Sequence, residues 1–327
     1  MDKRAFEKPF SRRDFIFFVA ATGLGITACS QGQKFGINTN QTQISATEDI
    51  TNFTPTAEAT RVITTTPEVQ PTQFVSEIER QIDKWGVAEK IPAFEFHGDK
   101  YDMYDGRYAM TPESFVDQMV WFKNNDFHAV TGPELTLFSD GIIDLPKRSV
   151  ILTTDSGKGS INSMPRVIPV LKETGMHFHS FIWTADMIPE CPTWEVFEEG
   201  IRQGVLTIGS HSERHGDFAQ YTAYGMVSEL NNSKNKIEDR LGITINSISW
   251  PLESCPVFAS DLVKIGYRYA FGGYSRDKVI DLAVKKADKN PFCLPRIFPP
   301  NEEGISMRPK GLTLKEIMEL YIGEEIS

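Results

Sequence analysis

Short apolar runs alternate with amphipathic segments of helical spacing along most of the chain, and this alternation most strongly limits the folds open to it. The apolar segments Pro146–Thr154 and Val205–Ile208 read as strands, whereas Asn162–Thr174 and Tyr224–Leu241 have helical spacing. Strands that alternate with helices of this length predict a parallel sheet. About 240 residues in this pattern suit a single (β/α) barrel. We therefore predict an α/β fold.

Residues 1–28 have the features of an export signal. A twin-arginine pattern lies in Ser11–Ile16, and the apolar segment Phe15–Ala28 is too short and too broken by glycine to span a bilayer. The end of this segment, Ile26–Cys29, resembles a bacterial lipobox, which implies cleavage before Cys29 and lipidation of its sulfur. Two or more acyl chains anchor a protein firmly to a membrane. We predict an exported lipoprotein held at the membrane or cell surface by this lipid anchor; an exported protein with an incidental cysteine is the alternative.

Residues 29–78 are rich in Thr, Gln, Asn, Ser and Pro and poor in large apolar residues. Such a segment cannot bury enough apolar surface to offset the entropy of ordering, so we predict a disordered, flexible tether. Near the end of this segment, the apolar residues of Phe74–Trp85 have helical spacing, and this helix would lead into the fold. We assign residues 79–327 to the barrel domain.

Charge and cysteine usage exclude some classes of partner and site. The formal net charge is −10, which argues against a nucleic-acid partner. Besides Cys29, the chain has Cys191, Cys255 and Cys293. An odd number outside the cell leaves at least one unpaired, and the sequence does not decide which two would form a disulfide. No C-x-x-C spacing occurs, so a zinc site built from cysteines is not expected.

Two stretches carry candidate chemistry. In Gly209–His215, the residues His211 and His215 are four apart, about one helical turn, so a helical turn would project both imidazoles from one face. Two imidazoles make half of a four-coordinate zinc site, which usually adds a carboxylate. Asp155 ends an apolar strand before Gly157, which predicts a position at the edge of the barrel where chemistry occurs. Solvated or core histidines are the alternative interpretation.

Together, Thr153–Gly157 and His211–His215 resemble the polysaccharide deacetylases, the NodB-like carbohydrate esterases, whose motifs read T-F-D-D-G and H-[ST]-x-x-H. The resemblance covers most of residues 90–300. It implies a deformed barrel of about seven parallel strands and metal-dependent removal of N- or O-acetyl groups from a polysaccharide. By position, Asp155 would be the catalytic base, and His211 and His215 would bind the metal, with zinc favoured and cobalt or nickel as alternatives.

Two departures from the family pattern bear on activity. Ser156 stands where the family has a second, metal-binding Asp, so the site loses a negative charge and metal affinity; Asp155, Glu213 or water could fill the gap. No histidine follows His215, so the late general acid of the family is missing. Three earlier histidines on candidate strands could substitute for it: His97, His177 and His179.

Three further residues are candidates for the site. The predicted strand ending in His97 matches a family strand ending in Tyr-His, so His97 is expected near the site, either contacting substrate or packing. Trp250 could line the groove and stack on a sugar ring, or it could be a packing aromatic. Leu294–Ile297 resembles a late L-P-R-I stretch of the family, in which Arg296 could orient Asp155 and lower its pKa. A packing role for Arg296 is the alternative.

Three functions are compatible with this sequence. The first is a surface-anchored deacetylase acting on an acetylated polysaccharide. The second, motivated by Ser156 and the missing late histidine, is a catalytically impaired lipoprotein that binds glycan without hydrolysing it. The third is an exported solute-binding lipoprotein, which has no need of the two motifs.

Overall fold

The computed structural model of the chain describes residues 71–97, 110–156, 158–186, 193–272, 283–300 and 311–326. Its centre is a seven-stranded sheet in which every pairing is parallel. The strands are β2 (Ala93–Phe96), β3 (His128–Ala129), β4 (Ser149–Ser156), β5 (Phe178–Ile182), β6 (Leu206–Ser210), β7 (Ser247–Ser249) and β8 (Tyr269–Phe271). Their order is β2-β4-β5-β6-β7-β8, and β3 pairs with the beginning of β4. Strands β1 (Lys90–Ile91) and β9 (Val284–Lys285) form a separate antiparallel pair.

Helices connect the strands and cover the outside of the sheet. They are α1 (Pro71–Trp85), α2 (Pro112–Asn124), α3 (Gly132–Ser139), α4 (Lys158–Thr174), α5 (Thr193–Arg202), α6 (Ala223–Leu241) and α7 (Leu314–Ile322). Short 3-10 helices lie at Thr184–Asp186, Phe218–Gln220, Pro251–Glu253 and Ala259–Ile265. Within the described ranges, none of the helices combines the length and the apolar character that crossing a bilayer requires.

The segment Leu294–Ile297 closes the sheet into a ring. On one side, the Leu294 amide donates to Ala270 O and the Gly272 amide donates to Leu294 O, each at 2.8 Å, which joins the segment to β8. On the other side, the Ile297 amide donates to Ala93 O and the Glu95 amide donates to Ile297 O, also at 2.8 Å. The segment therefore bridges the two edge strands, β8 and β2, and forms the deformed barrel predicted from the sequence.

A disulfide joins Cys255 to Cys293, 38 residues apart in the chain. It links the loop after β7 to the start of the closing segment. The sequence did not decide which cysteines form a disulfide, and the structure shows that these two do. Cys191 lies outside the described residues.

The alternation of side chains along the strands separates two apolar layers. Ile151, Phe181 and Tyr269 pack inside the ring, whereas Leu152 and Phe178 pack outside it against the helices. All eight residues of β4 are buried, because both of its faces are covered. The ring is therefore a filled core, and only its ends are available for a site.

The predicted strands and the longer predicted helices are confirmed, and α6 ends at Gly242 in the left-handed conformation (φ 65°). Helix α1 begins at Pro71, so residues 71–78 of the predicted tether are helical. This difference follows from the amphipathic spacing that starts there. The rest of the tether, the export signal and Cys29 lie outside the described residues and stay predictions.

Candidate active site

Asp155, Arg296 and Glu95 form a buried charge cluster at the carboxyl end of the barrel strands. Asp155 is the penultimate residue of β4, and Arg296 arrives on the closing segment. The guanidinium contacts both oxygens of the carboxylate, with Nη1 2.8 Å from Oδ1 and Nη2 2.9 Å from Oδ2. Nη2 also lies 3.0 Å from Glu95 Oε1, on the inward face of β2. The predicted contact between Arg296 and Asp155 is therefore present.

The two carboxyl groups respond in opposite ways to this guanidinium. Burial alone would raise the pKa of Asp155, but the charge and the hydrogen bonds of Arg296 outweigh it, so the pKa is lowered and Asp155 stays ionised. For Glu95, burial is the larger effect, and the charges of Asp155 and Glu253 add to it. The pKa of Glu95 is therefore raised well above its usual value, even though Arg296 opposes the shift.

A loop, and not a helical turn, brings His211 and His215 together. The helical turn predicted for these residues is wrong, because Ser212 and His215 have positive φ angles of 68° and 56°. The Ser212 Oγ accepts a hydrogen bond from the His215 amide at 2.9 Å and closes the loop. The two imidazole rings lie 4.8 Å apart between centroids. The two rings are thus close together, as predicted, but a loop positions them and not a helical turn.

His211 projects into the site directly after β6. Two residues earlier, Gly209 leaves room for the ring of Phe181, because a Cβ there would lie 2.5 Å from Phe181 Cδ1. The Nδ1 of His211 lies 2.9 Å from Ser249 O, so it carries the hydrogen and leaves Nε2 as a bare acceptor. Nε2 lies 3.8 Å from Asp155 Oδ2. Burial lowers the pKa of His211 to about 4, so the ring is neutral near pH 7.

Ser156 and Glu213 do not contribute to this cluster. Strand β4 continues through Ser156, so its side chain lies on the opposite face from Asp155. There its Oγ lies 2.7 Å from Ser180 Oγ, and the residue is fully buried. The carboxylate of Glu213 instead accepts a hydrogen bond from Asn232 Nδ2 at 3.3 Å. Neither residue therefore fills the position of the second family Asp.

His97 follows β2 at the same edge as Asp155. Its Nε2 lies 3.5 Å from Glu95 Oε1. Ligand atoms of Glu95, His97 and Asp155 all lie within 4.8 Å of one another, which makes these three residues a possible metal site. Burial lowers the pKa of His97, which keeps a neutral imidazole beside the two carboxyl groups.

His177 and His179 lie deeper, toward the opposite end of the barrel. Both nitrogens of His177 have partners, with Nδ1 3.0 Å from Gly204 O and Nε2 2.8 Å from Thr207 Oγ1. The Nε2 of His179 lies 2.8 Å from Val130 O. Of the three histidines that could replace the missing acid, only His97 therefore lies beside Asp155.

Trp250 has a packing role, and the prediction that it stacks on sugar is wrong. The residue is fully buried, its Nε1 donates to Phe292 O at 2.9 Å, and its ring lies 5.3 Å from that of Phe218. A ring without an exposed face cannot receive a sugar. Among the described residues, the tryptophan at the active edge is Trp183, which follows β5 and whose ring lies 4.8 Å from that of His215.

Sequence reasoning missed Glu95 and Trp183. A signal for Glu95 existed, since a charged residue within the apolar run Ala93–Phe96 is expected only where a partner is buried with it. His97 directly follows this run, two residues after Glu95, which places both side chains on one face of the extended chain. No comparable pattern marks Trp183, since a tryptophan after an apolar strand equally suits packing.

Comparison with known proteins agrees with this geometry. Residues 143–277 match the family model for polysaccharide deacetylase. Among curated proteins, no sequence matches the chain significantly.

Several solved structures share the fold. IcaB from Ammonifex degensii has a TM-score of 0.53 at 17% identity, covering 64% of this chain and 91% of that chain. The Streptococcus pyogenes deacetylase PplD in complex with acetate has a TM-score of 0.54 at 18% identity, covering 64% and 92%. A polysaccharide deacetylase from Bacillus cereus has a TM-score of 0.52 at 19% identity, covering 64% of each chain. Residues 143–277 are thus similar to the polysaccharide deacetylase family, and the chain shares its fold with these solved structures.

Proposed function

We propose that this protein is a metal-dependent hydrolase that removes N- or O-acetyl groups from a polysaccharide. The observation that carries the proposal is the ionised Asp155, held by Arg296 at 2.8 and 2.9 Å and facing the bare Nε2 of His211 at 3.8 Å. A fixed carboxylate beside neutral imidazoles is the arrangement that hydrolysis assisted by a metal requires. The family match over residues 143–277 supports the same chemistry.

Side chains that could bind a divalent metal lie on two sides of Asp155. On the β6 side, His211 presents Nε2 with its other nitrogen fixed by Ser249 O, and the ring of His215 lies beside it. On the β2 side, Glu95 and His97 come within 4.8 Å of Asp155. These donors suit zinc, and cobalt or nickel are alternatives. When bound, such a metal would polarise the acetyl carbonyl and acidify a water molecule.

Asp155 would act as the base and then return the proton. It would accept a proton from the attacking water as oxygen bonds to the acetyl carbon. It would then give this proton to the nitrogen or oxygen of the sugar as the bond to the acetyl group breaks. Because Arg296 lowers the pKa of Asp155, its carboxylate is a weak base and, once protonated, a strong proton donor, so a bound metal would have to acidify the attacking water. This cycle needs no late histidine.

We also propose that the domain works outside the cytoplasm, anchored through a lipid on Cys29. The order of the arginine pair, the apolar segment and the lipobox supports this localisation. The disulfide between Cys255 and Cys293 is consistent with it, because disulfides persist in oxidising compartments. The substrate would then be an acetylated polysaccharide of the cell surface or the surroundings, reached by a flexible tether.

The test is release of acetate from acetylated glycans, measured before and after removal of metal with a chelator and after addition of Zn²⁺, Co²⁺ or Ni²⁺. We expect activity to disappear with the chelator and to return with one of these ions. Asp155→Asn should lower kcat by roughly 10²–10⁴-fold, the usual contribution of a general base. The matched control is Asp144→Asn, because Asp144 pairs with Lys286 on the surface. A protein that releases no acetate with any added ion would refute the proposal.

A further inference from the structure

Helix α6 buries two polar side chains on a face that is otherwise apolar. Glu229 and Ser233 are buried beside three apolar residues of the same helix, Met226, Leu230 and Ile237. Glu229 is only 6% exposed. A carboxyl group is buried in this way only where a partner holds it. Because residues four positions apart lie on one side of a helix, both polar side chains face the same neighbour.

That neighbour is the loop of residues 211–215, which carries two histidines of the site and is called the histidine loop here. The Oε1 of Glu229 accepts a hydrogen bond from the backbone amide of Arg214, one residue before His215. A hydrogen bond to a carboxylate is stronger than one between neutral groups. Glu229 therefore holds the backbone of the loop directly beside the second histidine.

The histidine loop needs such support because its backbone is strained. Ser212 and His215 both lie in the left-handed region, with φ angles of 68° and 56°. A non-glycine residue persists in this region only where its surroundings fix it. Ser233 supplies a second contact, since its Oγ lies 2.7 Å from Ser210 Oγ, which accepts a hydrogen bond from the Ser212 amide at 3.0 Å. Helix α6 thus supports the loop next to both of its strained residues.

The two histidines of the loop depend on this support to different degrees. His211 has an anchor of its own, because its Nδ1 lies 2.9 Å from Ser249 O. The amide of His215 instead donates to Ser212 Oγ, inside the same loop. The ring of His215 lies 4.8 Å from the rings of His211 and of Trp183, so a change in this backbone would move it against both. A displacement of about 1 Å in an active site can lower a rate roughly 100-fold.

We propose that Glu229 is a positioning residue of the active site, which fixes the Arg214 amide and thereby holds His215 beside His211. It acts through the backbone of the histidine loop, from a helix on the outside of the barrel. Its consequence for catalysis rests on the proposed function, whereas its effect on the position of His215 can be measured without substrate or metal.

The test is nuclear magnetic resonance of the histidine rings in the full, chelator-treated chain, with isotope-labelled histidine and assignment by single His→Gln variants. We expect Glu229→Leu to shift the ring resonances of His215, to shift those of His211 less, and to leave those at the opposite end of the barrel in place. Glu229→Asp shortens the side chain by one methylene and should shift the same resonances, so it decides the question if Glu229→Leu does not fold. Glu229→Gln keeps an acceptor oxygen and should restore the original resonances.

Glu238→Leu is the matched control on the same helix. Glu238 also accepts a hydrogen bond from a backbone amide, that of Ile245 at 2.8 Å. This contact lies before β7, about 13 Å further along the helix axis. We expect Glu238→Leu to lower the stability of the protein to urea and to leave the resonances of His215 unchanged. The comparison separates positioning of the histidine from a general effect on helix packing.

Acetate release is measured separately, per folded molecule and with metal restored. We expect Glu229→Leu to lower kcat roughly 10- to 100-fold with a smaller change in KM, and Glu229→Gln to recover most of the activity. Resonances of His215 that stay in place in both Glu229→Leu and Glu229→Asp would overturn the inference, whatever the loss of stability. Shifted resonances in a protein that releases no acetate would keep the inference and reject the proposed function. Acetate release with unshifted resonances would do the reverse.

Discussion

The two ends of the barrel contain three histidines each, and they differ in what surrounds the imidazoles. At the amino end of the strands, His128 contacts Glu134 at 2.8 Å, His177 has partners on both nitrogens, and His179 contacts Val130 O. At the carboxyl end are His97, His211 and His215, beside the Asp155–Arg296 pair and Glu95. The chain has six histidines, so neither end is marked by their number.

Burial lowers the pKa of histidines at both ends, so a lowered pKa does not separate structural from functional histidines. It lowers the pKa of His177 to about 3, and that of His179 and His211 to about 4. What differs is the neighbouring groups. The amino end satisfies its rings with backbone carbonyls, a hydroxyl and the Glu134 carboxylate, whereas the carboxyl end places its rings beside two carboxyl groups that share the buried guanidinium of Arg296. The site is thus indicated by the buried charge cluster beside its histidines.

The largest effect that would test this contrast is loss of the shared guanidinium. Arg296→Met removes the guanidinium that the buried Asp155 and Glu95 share, so we expect a loss of about 3–5 kcal/mol in the free energy of unfolding. Acetate release should fall by more than about 100-fold. Urea denaturation and the acetate assay measure the two effects. Arg268→Met is the control, because Arg268 pairs with Asp140 at the surface and should cost at most about 1 kcal/mol. Equal effects of the two variants would contradict the assignment.

Substitution of one histidine at each end of the barrel should separate effects on stability from effects on activity. We expect His179→Gln to lower the free energy of unfolding by about 1–3 kcal/mol, because its contact with Val130 O is buried. Its acetate release per folded molecule should be unchanged. His97→Gln should lower acetate release at least about tenfold with little change in stability. The contrast between the ends would fail if His179→Gln were the variant that lost activity.

The pH dependence of stability should come largely from the buried histidines. His177 and His179 have folded pKa values of about 3 and about 4, below the unfolded value of about 6.5. Between these values the unfolded chain binds protons that the folded chain does not, so stability falls as pH falls below 6.5. Each such histidine contributes up to about 1.4 kcal/mol per pH unit. Urea denaturation at pH 7, 6 and 5 measures the slope, and a slope that His179→Gln leaves unchanged would contradict this origin.

The smallest effect concerns the two tryptophans. Trp250→Phe removes the hydrogen bond to Phe292 O, so we expect a cost of about 1 kcal/mol and no change in KM. Trp183→Leu should instead raise KM for an acetylated glycan a few-fold, because this ring lies beside His215. Steady-state kinetics on both variants make the comparison. A higher KM in Trp250→Phe alone would restore the sugar-stacking role that burial argues against.

The sequence predicted the fold better than the details of the site. Periodicity identified the strands, and the position of Asp155 at a strand end followed from it. The face of Ser156, by contrast, depends on whether β4 stops one residue earlier, which periodicity does not resolve. The meeting of Glu95 with Arg296 depends on closure of the ring by the segment Leu294–Ile297. Neither has a local signal, because both arise from contacts between distant parts of the chain.

The closing segment Leu294–Ile297 links completion of the fold to chemical competence. Asp155 and Arg296 are 141 residues apart in the chain, and they meet only when this segment docks between β8 and β2. A growing or proteolytically shortened chain that has every parallel strand, but lacks this segment, would hold an acid with no counter-ion. Closure of the barrel is thus a precondition for catalysis, because the closing segment supplies the guanidinium that holds Asp155.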